Sequence, residues 1–330
     1  MTFPVMKPQL PRAAKLAKYL KQIDANHWYS NGGPLLKEYE ARLADRFKAS
    51  VVATSSGTSA LTAAIIALGL PRDSVIACPA YTFTATPAAI VAAGHIPSFF
   101  DVDKDGFTIL NEPESQAMIV VAPFGNPIAA MRGNGKMMMV VDAAAGFDSM
   151  HEFVHDVPVV ISTHCTKVMG TGEGGFVACT DTDFLAKVHT IINQGIDPYR
   201  AVPFTGINGK MSEYHAAVGM AELDGWEAKR EKWKQVQHWY KDACPYVTST
   251  HLVSVPDAAE AKKMLADKGI DTRVSWYGCH HHAAYKDFPR SNLPMAEHLM
   301  RTQLALPKYI DMTKEDVDYI LEALKGCTLQ

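Results

Sequence analysis

Four segments of the 330-residue chain carry residues able to do chemistry together. Lys167 stands five residues after Ser162 and three before a glycine-rich run, Gly170-Thr171-Gly172-Glu173-Gly174-Gly175. A primary amine there can condense with an aldehyde if burial or a neighbouring cation lowers its pKa. The ordinary alternative is a solvated surface lysine. Asp142 ends the run Met137-Met138-Met139-Val140-Val141, where an apolar strand would deliver a carboxylate at its C-terminal edge. Its ordinary alternative is a helix N-cap. Thr54-Ser55-Ser56-Gly57-Thr58-Ser59 joins an apolar run to a helical one, so free N–H groups at a helix start could hold an anion, or the hydroxyls could simply cap the helix. Pro79-Ala80-Tyr81-Thr82-Phe83 places aromatics just past another apolar run, fit to stack on a flat ring or to join the core.

No segment decides the matter alone. Their conjunction does: an anion site, an aromatic, a carboxylate and a lysine are what a bound pyridoxal 5′-phosphate (PLP) requires, since an aspartate beside the pyridine nitrogen keeps the ring an electron sink. The run 170–175 also fits GxGxxG letter for letter. That fingerprint needs a helix after it, whereas Phe176-Val177-Ala178-Cys179 reads as a strand, so dinucleotide binding is disfavoured.

The elements that must position these groups are legible as alternating apolar runs. Residues 51–54, 75–78, 98–102, 118–122, 137–142, 159–162 and 175–179 read as strands, most of them unbroken apolar runs of the kind buried on both faces. Helices are expected over 34–47, 58–68 and 86–93, the first with apolar residues at 36, 39, 43 and 47. Helices alternating with buried strands predict an α/β fold with a mostly parallel central sheet flanked by helices. After about residue 211 the texture changes. One long helix is expected over 212–237, another over 258–268, a strand over 274–276, and a final helix over 313–324 with Thr313 as N-cap and Asp316 three residues on. The expected division is a large α/β domain over 1–224 and a smaller C-terminal α+β domain over 225–330.

Composition narrows the field. A net charge of −3 gives no reason to expect a nucleic-acid or anionic-membrane partner. No stretch reaches the roughly 18 apolar residues of a membrane span, and the start has no signal-peptide core. Six scattered cysteines without a CxxC pair argue against zinc and disulfide frameworks and predict a reduced, cytoplasmic protein. Three adjacent histidines, His280-His281-His282, are expected to point different ways on a solvated loop, so no metal site is predicted.

These residues resemble the DegT/StrS family of nucleotide-sugar aminotransferases, within the fold type I PLP enzymes. The resemblance runs from about Trp28 to Leu324 and rests on Ser56-Gly57-Thr58-Ser59-Ala60-Leu61, residues 81–86, Asp142-Ala143-Ala144, Ser162 with Lys167, Gly172-Glu173-Gly174-Gly175, Asn208-Gly209-Lys210-Met211, His280 with Tyr285, Leu293-Pro294-Met295-Ala296-Glu297 and Leu304-Ala305-Leu306-Pro307. It implies that Lys167 binds the cofactor covalently and moves protons, that Asp142 pairs with the ring nitrogen, that Phe83 stacks on the ring, and that Gly57, Thr58 and Ser162 hold the phosphate. Asn208 would reach the cofactor of a neighbouring subunit, implying a homodimer with shared active sites; His280, Trp276 and Tyr29 would line the substrate. The implied reaction moves an amino group from L-glutamate to a nucleotide-linked 4-keto or 3-keto deoxy sugar, as in amino-sugar and O-antigen biosynthesis. A cyclitol or other non-nucleotide ketone, or a non-catalytic binding role on the same fold, are the alternatives. The chain departs from the family pattern at Ala145, where Gln or His is usual, at Lys210, where Arg is usual, and at Val121-Ala122-Pro123-Phe124-Gly125.

Overall fold

The computed structural model describes residues 2–108, 115–128, 137–152 and 154–328. The chain opens with helices α1 (Ala13–Asn26) and α2 (Pro34–Phe47), then strand β1 (Ser50–Thr54) and helix α3 (Gly57–Ala67). Strand β2 (Val75–Pro79), helix α4 (Ala85–Ala92) and strands β3 (Ile96–Phe100), β4 (Ala117–Val121), β5 (Met138–Asp142), β6 (Val159–Ser162) and β7 (Gly175–Cys179) follow. Among the described residues these strands make one seven-stranded sheet in the order β1-β7-β6-β5-β4-β2-β3. Only β7 runs against its neighbours, so the sheet is mostly parallel, as the unbroken apolar runs predict.

That topology gathers the predicted chemistry at one edge. The C-terminal residues of β1 and β6, Thr54 and Ser162, both pair with Gly175, the first residue of antiparallel β7. On the next strands Val121 pairs with Asp142, and Asp142 with Val160. The sheet is sandwiched by two apolar clusters: Leu43, Phe47, Phe147 and Phe176 belong to one, Leu61, Ile65, Ile90 and Leu185 to the other. The α2 stripe of Leu36, Tyr39, Leu43 and Phe47 is buried as its spacing requires. Its start is held from afar: the fully buried Glu213 carboxylate accepts the amides of Leu35 and Leu36, both at 2.9 Å. A carboxylate at a helix N-terminus satisfies orphan donors and opposes the dipole.

The remaining elements are α5 (Thr182–Ile192), α6 (Glu213–Asp224), α7 (Trp226–Trp239), β8 (His251–Ser254), α8 (Ala258–Ala266), β9 (Arg273–Val274), α9 (Pro294–Thr302), β10 (Gln303–Leu306) and α10 (Lys314–Thr328). Strands β8, β10 and β9 form a separate antiparallel sheet, in that order. Its apolar cluster takes Val236, Leu265, Leu304, Ile320 and also Phe3, so the N-terminal residues pack with the last third of the chain.

Three expectations need correction. The helix expected over 212–237 is two helices, because Gly225 caps the C-terminus of α6 and starts α7. The strand expected over 98–102 begins at Ile96 and ends at Phe100. Pro97 lies inside it, tolerated because β3 is an edge strand. The strand expected over 274–276 is the short β9, and Trp276 lies beyond it. The capping expected at Thr313 is present: its hydroxyl accepts the Asp316 amide at 3.2 Å, and the Asp316 carboxylate accepts the Thr313 amide at 2.9 Å.

Candidate active site

Asp142 emerges at the end of β5 among buried side chains, and its carboxylate has no direct cation partner among the described residues. Its Oδ2 accepts the Thr86 hydroxyl at 2.7 Å, and its Oδ1 accepts the Ala144 amide at 3.2 Å. Thr86 lies in the first turn of α4, and its hydroxyl is 2.9 Å from that of buried Thr82, so a short hydroxyl chain leads from the β2–α4 loop to the carboxylate. Burial pushes the Asp142 carboxyl above the usual carboxylate range, while Thr86, the Ala144 amide and the charge of Lys167 oppose the rise.

Lys167 sits on the turn after β6, its amide donating to the His164 carbonyl at 2.9 Å. The loop beneath is fastened by Thr163 and Thr171, whose hydroxyls are 2.8 Å apart, and by the Thr171 amide on the Thr163 carbonyl at 2.7 Å. Burial lowers the Lys167 amine from its ordinary value; Asp142 opposes this and the positive charge of Arg273 adds to it. Lysine and aspartate therefore feel each other's charge, and the amine is biased toward the unprotonated form that attacks carbonyl carbon. A cavity of about 10 Å³, room for one water, also touches Lys167 and is lined by Trp233, Ser249 and Lys308.

The start of α3 meets these groups from the β1 side. Ser56 caps the helix by accepting the Ser59 amide, which leaves the amides of Gly57 and Thr58 without a partner among the described residues. Only glycine fits at 57, where a Cβ would come within 2.8 Å of the Ser162 Cβ. Gly175 is equally crowded, a Cβ there meeting the Gly57 nitrogen at 2.6 Å. Two glycines thus bring a helix N-terminus, Ser162 and the start of β7 into contact, a cradle suited to a phosphate.

The remaining predicted residues are placed as follows. Phe83 stands past β2 with 62% of its surface exposed and no ring contact among the described residues. Asn208 is exposed on a segment bound to the same edge, where Ser55 donates its amide to the Gly209 carbonyl at 2.7 Å. Trp276 is stacked on Phe124 with centroids 4.0 Å apart and meets Tyr81 edge-on at 5.3 Å. Tyr29 is exposed and stacked on Tyr214. His280 is buried, its Nε2 2.8 Å from Glu297 Oε1, and His281 Nε2 lies 2.7 Å from the same oxygen. The expectation of three diverging, solvated histidines is therefore corrected: two of the three converge on one carboxylate. Sequence reasoning assigned no role to Thr82, Thr86 or Arg273. The i, i+4 spacing of the two threonines at a helix start was the available signal for the hydroxyl chain.

The site's residues fit PLP on these observations: a crowded anion cradle with spare amides, a buried carboxylate lacking a cation, and a lysine with a lowered pKa. Comparison with known proteins agrees. The chain is 32% identical over 237 residues to the dTDP-4-amino-4,6-dideoxy-D-glucose transaminase of Shigella dysenteriae, a match spanning 67% of this chain and 64% of that one. It is 26% identical to the GDP-perosamine synthase of Caulobacter vibrioides over 93% of both chains. The crystal structure of DesI in the presence of its TDP-sugar product superposes with a TM-score of 0.89 at 26% identity, covering 99% of this chain and 93% of that one. Residues 12–325 match the DegT/DnrJ/EryC1/StrS aminotransferase family. The chain belongs to that family and is an aminotransferase whose cofactor is pyridoxal 5′-phosphate.

Proposed function

We propose that this aminotransferase moves an amino group from L-glutamate to the ketone of a nucleotide-linked deoxy sugar, at C4 or C3, working as a homodimer with shared active sites. The observation that carries the reading is the meeting of Lys167 and Asp142 at one sheet edge, beside the free amides of Gly57 and Thr58. The sugar-nucleotide half rests on the relatives, which are named for transamination of a dTDP-linked sugar and for GDP-perosamine synthesis.

When bound, PLP supplies an electrophilic aldehyde carbon and a ring that accepts electrons from the amino-acid carbon. Lys167 is the residue that holds it and, when released, the base that takes a proton from one carbon and returns it to another. The lowered pKa of its amine suits both tasks. Asp142 holds a proton on the ring nitrogen, and Thr86 fixes the carboxylate that does so. Gly57, Thr58 and Ser162 bind the phosphate. Phe83 would stack on one face of the ring. Its exposure and that of Asn208 leave the cleft open in a single chain, which supports closure by a second subunit. Arg273 adds positive potential at Lys167, the sign that an amino-acid carboxylate or a nucleoside diphosphate requires.

The test is a panel of nucleotide-linked 4-keto and 3-keto sugars, with cyclitol ketones as comparison, each incubated with glutamate and the products weighed by mass spectrometry. Wild type should aminate a nucleotide sugar, and Lys167→Ala should show no turnover and bind PLP only loosely. Substantial transamination by the variant, or activity on cyclitol ketones alone, would refute the reading.

A further inference from the structure

Two of the three adjacent histidines form a second cluster, which shares no residue with the lysine, the aspartate and the anion cradle. His280 and His281 occupy a single 3-10 turn, Cys279–His281, and their ring centroids are 4.1 Å apart. Their Nε2 atoms lie 2.8 and 2.7 Å from one oxygen, Oε1 of Glu297 in the first turn of α9. One donor atom from each of the three residues falls within 4.8 Å of the others. We propose that His280, His281 and Glu297 bind a zinc ion, with water as the fourth ligand.

The chemistry favours a borderline metal. Two imidazoles and one carboxylate suit zinc, whereas magnesium and calcium take oxygen donors. Ligands at zinc's usual bond lengths in a tetrahedron are about 3.3 Å apart. Each nitrogen, now 2.8 or 2.7 Å from the carboxylate oxygen, would move out by about half an ångström, and all three donors already lie within 4.8 Å of one another. Without metal, the Nε2 atoms of both imidazoles face the one carboxylate oxygen, while the buried Nδ1 of His280 has no hydrogen-bond partner among the described residues. The side chains of His281 and Glu297 are 35% and 37% exposed while that of His280 is 5% exposed. One flank of the cluster is thus open for entry of the ion and for water, and the other is walled.

Both elements that carry the ligands are anchored. The Cys279 amide donates to the Ala80 carbonyl at 2.8 Å, and its thiol meets the Thr82 carbonyl at 3.4 Å. The start of α9 is held by Asp101, whose two carboxylate oxygens accept the Met295 and Ala296 amides at 2.9 and 2.7 Å. An anion already satisfying those amides lets Glu297 serve the metal. Since Cys279 hangs on Ala80 and Thr82, the zinc would staple α9 to the loop bearing Tyr81 and Phe83, and so stiffen one wall of the cofactor cleft.

The PLP-loaded protein, freed of metal by a chelator and then dialysed, is titrated with zinc chloride against a chromophoric zinc chelator. One zinc per chain is expected, with His281→Ala and Glu297→Gln each weakening binding at least about tenfold. Zinc should raise the thermal midpoint of wild type and leave that of His281→Ala unmoved. His281 is half-exposed, so its loss does not hollow the core. Equal zinc binding by wild type and His281→Ala, or none by folded wild type, overturns the proposal. Chelator competition reads the metal without turnover, so the outcome is independent of the substrate assignment.

Discussion

Thr86→Val tests the link between the β2–α4 loop and the cofactor's carboxylate. The Thr86 hydroxyl donates to Asp142 Oδ2 at 2.7 Å, inside a buried environment that already raises the Asp142 carboxyl. The Ala144 amide, at 3.2 Å on the other oxygen, is a longer bond and cannot take over. A hydrogen bond to an ionised group contributes about 1.5–3 kcal/mol. Valine has the shape of threonine without the donor, so the loss falls on the charged form, and the Asp142 pKa should rise further. If the carboxylate must be charged for the ring to accept electrons, the same energy appears in the barrier as about a ten- to hundredfold slower reaction. The assay is stopped-flow absorbance of the half-reaction with glutamate across pH. The maximal rate should fall while glutamate affinity stays within about twofold, the pattern of an interaction made in the transition state. The acid limb of the profile should move to higher pH, because the carboxyl keeps its proton longer. Thr86→Ser, which restores the hydroxyl, should recover most of the rate. A Thr86→Val enzyme with wild-type rate and an unmoved acid limb would refute the assignment of Thr86 and weaken that of Asp142.

Two buried groups give stability predictions of opposite sign in pH. Lys308, 1% exposed, donates to Thr248 Oγ1 at 2.9 Å and Gln237 Oε1 at 3.1 Å, with Asp242 at 3.5 Å, and burial lowers it from 10.5 to about 8. Between those values the unfolded chain binds more protons, so this group makes stability rise with pH across about 8 to 10.5, by about 3 kcal/mol. Lys308→Met should lose that slope in urea denaturation at pH 7.5 and 10; an identical slope in both proteins refutes it. Burial raises Glu40 from 4.5 to about 7, while its carboxylate accepts the Ala53 amide at 2.8 Å. Here the folded chain holds the extra proton, so stability falls as pH climbs from 4.5 through 7. Glu40→Gln keeps an acceptor for Ala53 and removes the charge. It should be more stable than wild type at pH 8 by up to about 3 kcal/mol, the gap closing near pH 4.5; a gap independent of pH would contradict this.

What the sequence makes legible divides along the range of the forces involved. The central sheet could be read because strands buried on both faces are written as unbroken apolar runs, as in β4, where every residue from Ala117 to Val121 is buried. The order of anion site, aromatic, carboxylate and lysine was readable for the same reason, since each sits where such a run stops. Residues that meet through folding alone left no periodic trace. Thr86 and Asp142 are 56 positions apart, and Glu213 is 178 from the Leu35 amide it caps, so no window of sequence contains either pair. Strand β10 follows α9 directly, with no turn residue to mark the change, and it becomes a strand because β8 and β9 flank it. The histidine run shows the same limit in the chemistry. Adjacent side chains on an extended loop would diverge, and from sequence that was the sound expectation. The chain instead closes a 3-10 turn at Cys279–His281, and Glu297, brought in by α9, gives both imidazoles one oxygen to meet. Whether neighbouring donors act together is thus decided by the backbone turn beneath them and by a residue 16 positions away.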